Sequence, residues 1–137
     1  MFLSIDHQNG LAIYDQIVRQ IKFAVACGAL RKGELVPSVR ELARELAVNP
    51  NTVARAYREL QSEGVLAPVR GTGMEVAEGA ERRCRSQRLE LIRARLRQVL
   101  SEAIQSQLEA DELRALVEQE LAAAEKQVEK RREKQRV

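Results

Sequence analysis

The spacing of apolar residues along the chain predicts a series of helices. From Ile13 onward apolar residues recur on one face of a first helix, which is expected to stop near Gly28. Two short helices follow, the second of which ends at Gly64. In the second half of the chain the same spacing continues through two longer amphipathic helices.

Two segments after the third helix have the composition of β-strands. Residues 65–69 and 74–76 can pair around the glycine-rich turn at residues 70–73. Pro68 cannot donate a hydrogen bond to a ladder, so it must occupy an edge or a bulge. The opening FLSI, residues 2–5, fits another short strand. The predicted fold class is mainly α with a small β-hairpin wing.

Residues with strong capping preferences delimit the second and third helices. Ser38 and Glu41 have the spacing of a capping box, so the second helix should begin there and end near Ala47. Asn49 is a good N-cap for the third helix, and Pro50 loses no hydrogen bond at the first helical position. Helix, turn, helix and hairpin in this order form a winged helix-turn-helix.

From about Glu81 the pattern changes, and we predict a domain boundary at Ala77 to Ala80. Residues 1–78 are expected to form the winged helix-turn-helix and residues 79–137 a helical dimerisation domain. A two-helix hairpin cannot bury two apolar stripes alone, so a second copy is expected to cover them. The residues predicted to dimerise are Leu89, Ile92, Leu96, Val99, Leu100, Ile104, Leu113, Val117 and Leu121.

The composition favours a packed helical protein with mild basic character. Of 137 residues, 45% are hydrophobic and only 3% aromatic, so aliphatic side chains must build the core. The formal net charge of +3 is compatible with a polyanionic partner but is weak evidence for one. The sequence has no signal peptide and no apolar run of membrane-spanning length, so a cytoplasmic protein without membrane contact is expected.

Residues that usually form catalytic or metal sites are scarce. His7 is the single histidine, which leaves no partner for a His-based metal site or triad. Cys27, on the apolar side of the first helix, is predicted to be a buried thiol. Cys84, among arginines, is predicted to be a surface thiol, with a low-pKa oxidant sensor as the alternative. We therefore expect no enzyme activity, no metal and no cofactor.

The outward face of the third helix has the chemistry of a DNA-reading surface. Asn51, Arg55, Arg58 and Ser62 share this face, with Thr52 on its flank, and no acid lies along its centre. In a major groove, asparagine can pair with adenine and arginine with guanine, while threonine can contact a phosphate or a thymine methyl. The alternative for Arg55 is an ion pair with the glutamate one turn later.

Further basic residues flank this helix. Arg40 and Arg44 project one turn apart from the second helix, where they could contact the DNA backbone. Arg70 and Gly71 form the wing tip, which could enter the adjacent minor groove. Together the residues predicted to contact double-stranded DNA are Arg40, Arg44, Asn49, Pro50, Asn51, Thr52, Arg55, Arg58, Arg70 and Gly71.

These motifs resemble the GntR family of bacterial transcription regulators. The resemblance rests on IYDQIVRQIKFAVACGAL, VPSVRELA, VNPNTVARAYRELQSEGVL and RGTG, and it extends over about residues 11–77. It implies a winged-helix DNA-binding domain. The family's DNA-contacting positions fall on Arg40, Asn49, Pro50, Asn51, Thr52, Arg55, Arg70 and Gly71.

The chain departs from the family pattern at two positions and in the length of its tail. Ala12 stands where proline is common, and Met74 stands where the wing often carries an aromatic residue. The residues after the wing are too few for the larger effector-binding or aminotransferase-like domains of the family. The short helical tail is similar to that of the YtrA subfamily, which implies a dimeric repressor, often of transporter operons.

These features predict a homodimeric regulator that binds palindromic operators. The alternatives are a winged-helix protein-interaction or RNA-binding module, an activator, and a DNA binder of low specificity. A small-molecule effector is not evident from the sequence, although a dimer interface could supply a pocket for one.

Overall fold

A computed structural model describes residues 3–71 and 73–136 of the chain. The chain divides into two compact units. The first ends at Ile92 and the second starts at Arg93. The elements in chain order are α1 Ile13–Ala26, α2 Val39–Leu46, α3 Pro50–Ser62, β1 Leu66–Val69, β2 Gly73–Val76, α4 Ala80–Gln105 and α5 Ala110–Gln135. These elements confirm the mainly α fold with a small β-hairpin.

The core of the first unit lies among α1, α2 and α3. Ile17 and Ile21 of α1 pack with Leu42 of α2 and Leu60 of α3, and all four side chains are fully buried. Burial of each such aliphatic side chain contributes about 1.5–3 kcal/mol, so the inward stripes rather than helix propensity hold these short helices together. The hydroxyl of Tyr57 also donates to the Pro37 carbonyl oxygen at 2.7 Å, which ties α3 to the segment before α2.

Local caps set the bounds of the two motif helices. The Ser38 hydroxyl accepts from the Glu41 amide at 3.1 Å, and the Asn49 side chain accepts from the Asn51 amide at 2.8 Å. Pro50 is the first residue of α3, as predicted. Gly64 follows the end of α3 with φ 75°, a conformation that glycine adopts without strain.

The wing is an antiparallel hairpin with Leu66 opposite Val76 and Val69 opposite Gly73. The outer side of β2 is occupied, because the Val36 amide donates to the Met74 carbonyl and the Val76 amide to the Glu34 carbonyl. The edge strand of this arrangement is therefore β1, and Pro68 lies on it as predicted.

The strand predicted at the start of the chain is wrong for residues 3–5, and Phe2 lies outside the described residues. Glutamine side chains of α1 take the place of a neighbouring strand. The amide of Ser4 donates to the Gln20 side chain and that of Asp6 to the Gln16 side chain, each at 3.0 Å. These contacts satisfy the extended backbone without a ladder.

The first turns of α4 pack on the first unit, beyond the predicted boundary after residue 78. Ala80 and Cys84 are buried in its core. The Arg83 guanidinium donates to the Gly64 carbonyl oxygen at 2.9 Å and that of Arg85 to the Ala26 carbonyl oxygen at 3.2 Å. Neither α1 nor α3 has a basic residue in its last turn, and these arginines place a cation near each helix C-terminus, where the helix dipole favours one.

Both cysteine predictions are wrong. Cys27 is exposed because it lies at the C-cap of α1, where the helix and its inward face end. Cys84 is buried, and this burial raises the pKa of its thiol. The ion pair between Lys22 and Glu63 (2.7 Å) also acts on that pKa, with the ammonium lowering it and the carboxylate raising it.

The second unit consists of the end of α4 and all of α5, joined by a short turn. Gln107 has φ 68° in this turn, and the Leu108 amide donates back to the Ala103 carbonyl, which closes the last turn of α4. None of the residues of α5 is buried. No helix in the described ranges is both long and apolar enough to cross a membrane.

Candidate nucleic-acid interface

The packing of α3 turns one polar face of the helix to solvent. Val53, Ala56, Tyr57 and Leu60 are buried against α1 and α2, as their spacing predicts. On the opposite side the exposed residues are Asn51, Arg55, Arg58 and Ser62, and Thr52 is half-buried on the flank. The core therefore fixes which side chains α3 can present to a partner.

Arg55 makes a contact that the sequence did not reveal. Its guanidinium carbon lies 3.7 Å from the centroid of the Tyr14 ring, which belongs to the first turn of α1. The alternative was an ion pair between Arg55 and Glu59. None of the ion pairs among the described residues joins these two side chains. Periodicity could not find Tyr14, because it relates residues within one helix and not residues of two helices.

The N-terminus of α3 has fewer free amides than an uncapped helix. Pro50 has no N–H group, and the amide of Asn51 is bonded to the Asn49 side chain. The amides of Thr52 and Val53 donate to the Asn49 backbone carbonyl at 3.0 and 3.4 Å. A phosphate at this end would therefore interact mainly with the helix dipole and neighbouring side chains.

The two arginines of α2 and the wing tip are accessible. Arg40 and Arg44 are exposed one helical turn apart. Arg70 and Gly71 are exposed at the tip of the hairpin, where Gly71 has φ 81°. A residue with a side chain is strained at that angle, so glycine has a structural reason to occupy this position.

The hydroxyl of Tyr57 is an ionisable group in the core of this unit. Burial raises the pKa of the Tyr57 hydroxyl above its ordinary range, and Glu41 and Glu45 raise it further. This hydroxyl stays protonated and serves as the donor to Pro37. Within the described part of the chain, no three His, Cys, Asp or Glu side chains come together as metal ligands would.

Comparison with known proteins finds the same motif at these residues. The family described as "Bacterial regulatory proteins, gntR family" matches residues 13–76. The HTH-type transcriptional repressor YtrA of Bacillus subtilis (strain 168) is 35% identical over 111 residues, which are 81% of this chain and 85% of that protein. The chain belongs to the GntR family. This membership identifies it as a DNA-binding transcriptional regulator rather than an enzyme.

Solved structures of GntR-family proteins share the fold. A GntR family transcriptional regulator from Listeria monocytogenes superposes with a TM-score of 0.63 at 32% identity, covering 84% of this chain and 98% of that one. YtrA from Sulfolobus acidocaldarius gives a TM-score of 0.55 at 36% identity, covering 69% and 97%. These matches confirm the winged-helix fold and the resemblance to YtrA-type regulators.

Most of the residues predicted to contact DNA in this GntR regulator are accessible. Thr52 is half-buried. The exposed members of the set are Arg40, Arg44, Asn49, Pro50, Asn51, Arg55, Arg58, Arg70 and Gly71. Accessibility is required for DNA contact, and the individual contacts remain predictions.

The residues predicted to dimerise are also largely uncovered in the single chain. Leu100 and Leu113 are half-buried. The exposed members are Leu89, Ile92, Leu96, Val99, Ile104, Val117 and Leu121. The sequence prediction missed Leu116, whose side chain is 45% exposed one helical turn after Leu113. Its spacing of three residues from Leu113 was the available signal.

Proposed function

We propose that this GntR-family regulator is a homodimeric repressor that binds palindromic operators and blocks transcription by occupying promoter DNA. The observation that carries the proposal is the exposed polar face of α3, which has no acidic side chain along its centre. Asn51 and Arg55 on this face have the hydrogen-bonding groups that match adenine and guanine in the major groove. A helix presented in this way fits that groove.

Flanking groups support the same mode of binding. Arg40 and Arg44 are suited to phosphate contacts, which fix the position of the protein on the duplex without reading sequence. Arg70 at the wing tip is suited to the minor groove, whose negative potential attracts arginine. The protein would act on chromosomal DNA in the cytoplasm.

Exposed apolar side chains on the last two helices support the homodimer. Leu96, Val99 and Leu121 are each about half exposed, at 48%, 54% and 54%. Exposed apolar side chains are stabilised when another apolar surface covers them. A second copy of the chain carries the same apolar surface and could cover them in a symmetric dimer. A two-fold dimer would present two recognition helices to half-sites spaced by about one helical turn or a multiple of it.

One relative supports repression as the proposed sign of regulation. YtrA of Bacillus subtilis carries the description of a transcriptional repressor. Transporter genes are the targets that the YtrA resemblance implies, and the operon of the protein itself is the first place to look for an operator.

An effector pocket is a weaker interpretation of the tail. An open groove of about 520 Å³ in the second unit is lined mainly by Leu100, Ile104, Leu113 and Val117. This volume could hold a small molecule. The same four residues belong to the predicted dimerisation set, so a homodimer accounts for the groove without a ligand.

Operator binding is tested by fluorescence anisotropy at near-physiological salt, with labelled DNA from upstream of the protein's own gene. We expect binding at least about a thousandfold tighter than to a scrambled duplex of equal length. A matched RNA duplex should not compete, because its deep and narrow major groove excludes a recognition helix. Equal binding to operator and scrambled DNA would contradict specific recognition, and competition by RNA would favour the RNA-binding alternative.

Two arginine variants separate base reading from backbone contact in the same assay. Arg55→Ala should relax discrimination at one base pair by about 1–3 kcal/mol. Arg40→Ala should weaken binding to all duplexes alike and make the dependence of affinity on salt concentration shallower. The reverse assignment of these two effects would refute the proposed division of roles.

A further inference from the structure

The contact between Tyr14 and Arg55 joins two elements that local sequence does not connect. Tyr14 lies in the first turn of α1, outside the helix-turn-helix, and Arg55 lies on the exposed face of α3. The Tyr14 ring is half-buried and packs against the core of the first unit, whereas the Arg55 side chain is exposed. A ring held by the core thus supports a cation directed at solvent.

The distance of 3.7 Å places the guanidinium carbon in van der Waals contact with the face of the ring. The attraction acts through the negative face of the ring and does not use the N–H donors of the guanidinium. An ion pair with Glu59 would have occupied some of those donors. The stacked arginine therefore keeps its hydrogen-bonding edge available.

An arginine side chain loses considerable rotamer freedom when it binds in one geometry. A stacked arginine has already lost part of that freedom in the unbound protein, so less is lost when it meets a base. Bidentate pairing with guanine depends on the orientation of the guanidinium plane, which a flat support restricts.

We infer that Tyr14 is a positioning residue that holds the Arg55 guanidinium ready to read a base. This inference rests on the proposed function, in which Arg55 contacts guanine. It extends the DNA-reading surface to α1, to a residue that acts through Arg55 rather than on the DNA itself.

The molecule contains a matched control on the same helix. The Arg19 guanidinium lies 5.6 Å from the centroid of the Phe23 ring, a second cation–π pair of α1. Arg19 also donates to the Leu91 carbonyl oxygen at 3.2 Å, so this pair serves the packing of α4 rather than the exposed face of α3. Phe23→Leu therefore removes a ring of α1 without altering the support of Arg55.

The test is a double-mutant cycle on the full-length chain, with a duplex selected by the wild-type protein from a random-sequence pool. Tyr14→Leu should weaken binding about fivefold, the size expected for an exposed cation–π contact. Tyr14→Phe, which keeps the ring, should bind within about twofold of the wild type. Tyr14→Leu should have no further effect in a protein that already carries Arg55→Ala, and Phe23→Leu should not change affinity.

Each other outcome overturns the inference. If Tyr14→Leu weakens both backgrounds equally, Tyr14 acts independently of Arg55, through the fold or through DNA. If Tyr14→Leu tightens binding, the ring withholds Arg55 instead of presenting it. If Arg55→Ala weakens binding while Tyr14→Leu is silent, only the role of Tyr14 fails. If Arg55→Ala has no effect on binding, the inference about Tyr14 fails, and so does the base-reading role of Arg55 in the proposed function.

Discussion

Ala47 adopts a backbone conformation that its side chain disfavours. It follows α2 with φ 54° and ψ 46°, in the turn that separates the two motif helices. Its amide donates to the Arg44 carbonyl, and the Val48 amide donates to the Ala43 carbonyl at 3.0 Å. This is the Schellman pattern, in which the left-handed residue is usually glycine. The turn sets the direction in which α3 leaves α2, so the strain is located within the DNA-binding motif.

We expect Ala47→Gly to raise the free energy of unfolding by about 0.5–1 kcal/mol. Removing the strain of an alanine in the left-handed conformation should raise the free energy of unfolding by about 1–2 kcal/mol. Glycine has more conformational freedom than alanine in the unfolded chain, which offsets about half of this gain. Urea unfolding followed by circular dichroism measures the change. Ala54→Gly, the same substitution inside α3, should instead lower stability by about 1 kcal/mol. Equal losses in both variants would show that Ala47 is not strained.

Cys84 gives the molecule a dependence on alkaline pH. Burial raises the pKa of its thiol above the ordinary 9.0, so the folded state holds the proton more tightly than the unfolded chain. The corresponding stability is fully present below the unfolded pKa and declines as pH rises through it toward the folded pKa. The Tyr57 hydroxyl, with an ordinary pKa of 10.0, follows the same sign at higher pH.

Cys84→Ala should therefore remove part of the loss of stability between about pH 8 and 10. The measurement is the midpoint of urea unfolding across that range. Cys27→Ala is the matched control and should keep the wild-type pH dependence, because Cys27 is exposed. If both variants follow the wild-type profile, the buried thiol does not contribute to it.

At the scale of elements, α4 is shared between two roles. Its first turns complete the core of the first unit, whereas its later residues Leu96 and Val99 are exposed. The pattern of apolar and polar residues changes near residue 80 because α4 starts there. The packed first unit does not end at this point but continues to Ile92. A boundary drawn where the helix pattern changes misses contacts that residues of the new helix make with the old core.

A fragment of residues 1–92 should accordingly be more stable than a fragment of residues 1–78, by at least about 2 kcal/mol. The longer fragment retains two buried side chains, Ala80 and Cys84, and the arginine caps of α1 and α3. Thermal unfolding of the two fragments measures the difference. Equal stability would mean that the first turns of α4 do not belong to the first unit.

Two variants of the longer fragment test the arginine contact at the end of α1. Arg85→Ala should lower the free energy of unfolding by about 1 kcal/mol, because it removes the bond to the Ala26 carbonyl at the end of α1. Arg88→Ala, an exposed arginine of the same helix, should change it by less than about 0.5 kcal/mol. Similar losses in both would attribute the effect to helix propensity or charge rather than to capping.

At the scale of the whole molecule, large apolar side chains are exposed along both α4 and α5. The side chains of Leu89, Ile104 and Leu121 are more than half exposed, at 64%, 57% and 54%. Monomeric proteins seldom leave large apolar surfaces exposed, since water disfavours them. The proposed dimer would cover this surface and couple two DNA-binding units.

Leu96→Glu should convert the proposed dimer to a monomer in light scattering. Affinity for a duplex with two half-sites should then fall by at least about a hundredfold, because the second half-site no longer binds at high effective concentration. Gln98→Glu adds the same charge at an exposed polar position of α4 and should remain dimeric. A Leu96→Glu protein that stays dimeric would contradict the assignment of the tail as the dimerisation surface.

The sequence by itself determined the features that depend on residues within a few positions of one another. The Ser38 and Asn49 caps, Pro50 at the start of α3 and the inward stripes all follow from contacts along one helix, so the order of helices and wing could be predicted. The polar face of α3 followed from the same periodicity, together with the accessibility of Asn51 and Arg55.

Only the tertiary structure decided the contacts between distant elements. The ring of Tyr14 under Arg55, the burial of Cys84 and the exposure of Cys27 depend on how helices end and meet. So does the joining of the first turns of α4 to the earlier core. Periodicity states which face of a helix is apolar, but it does not state which residue of another helix lies against that face. This choice is made by packing in three dimensions, where side-chain shape and the direction of each helix end determine the neighbours.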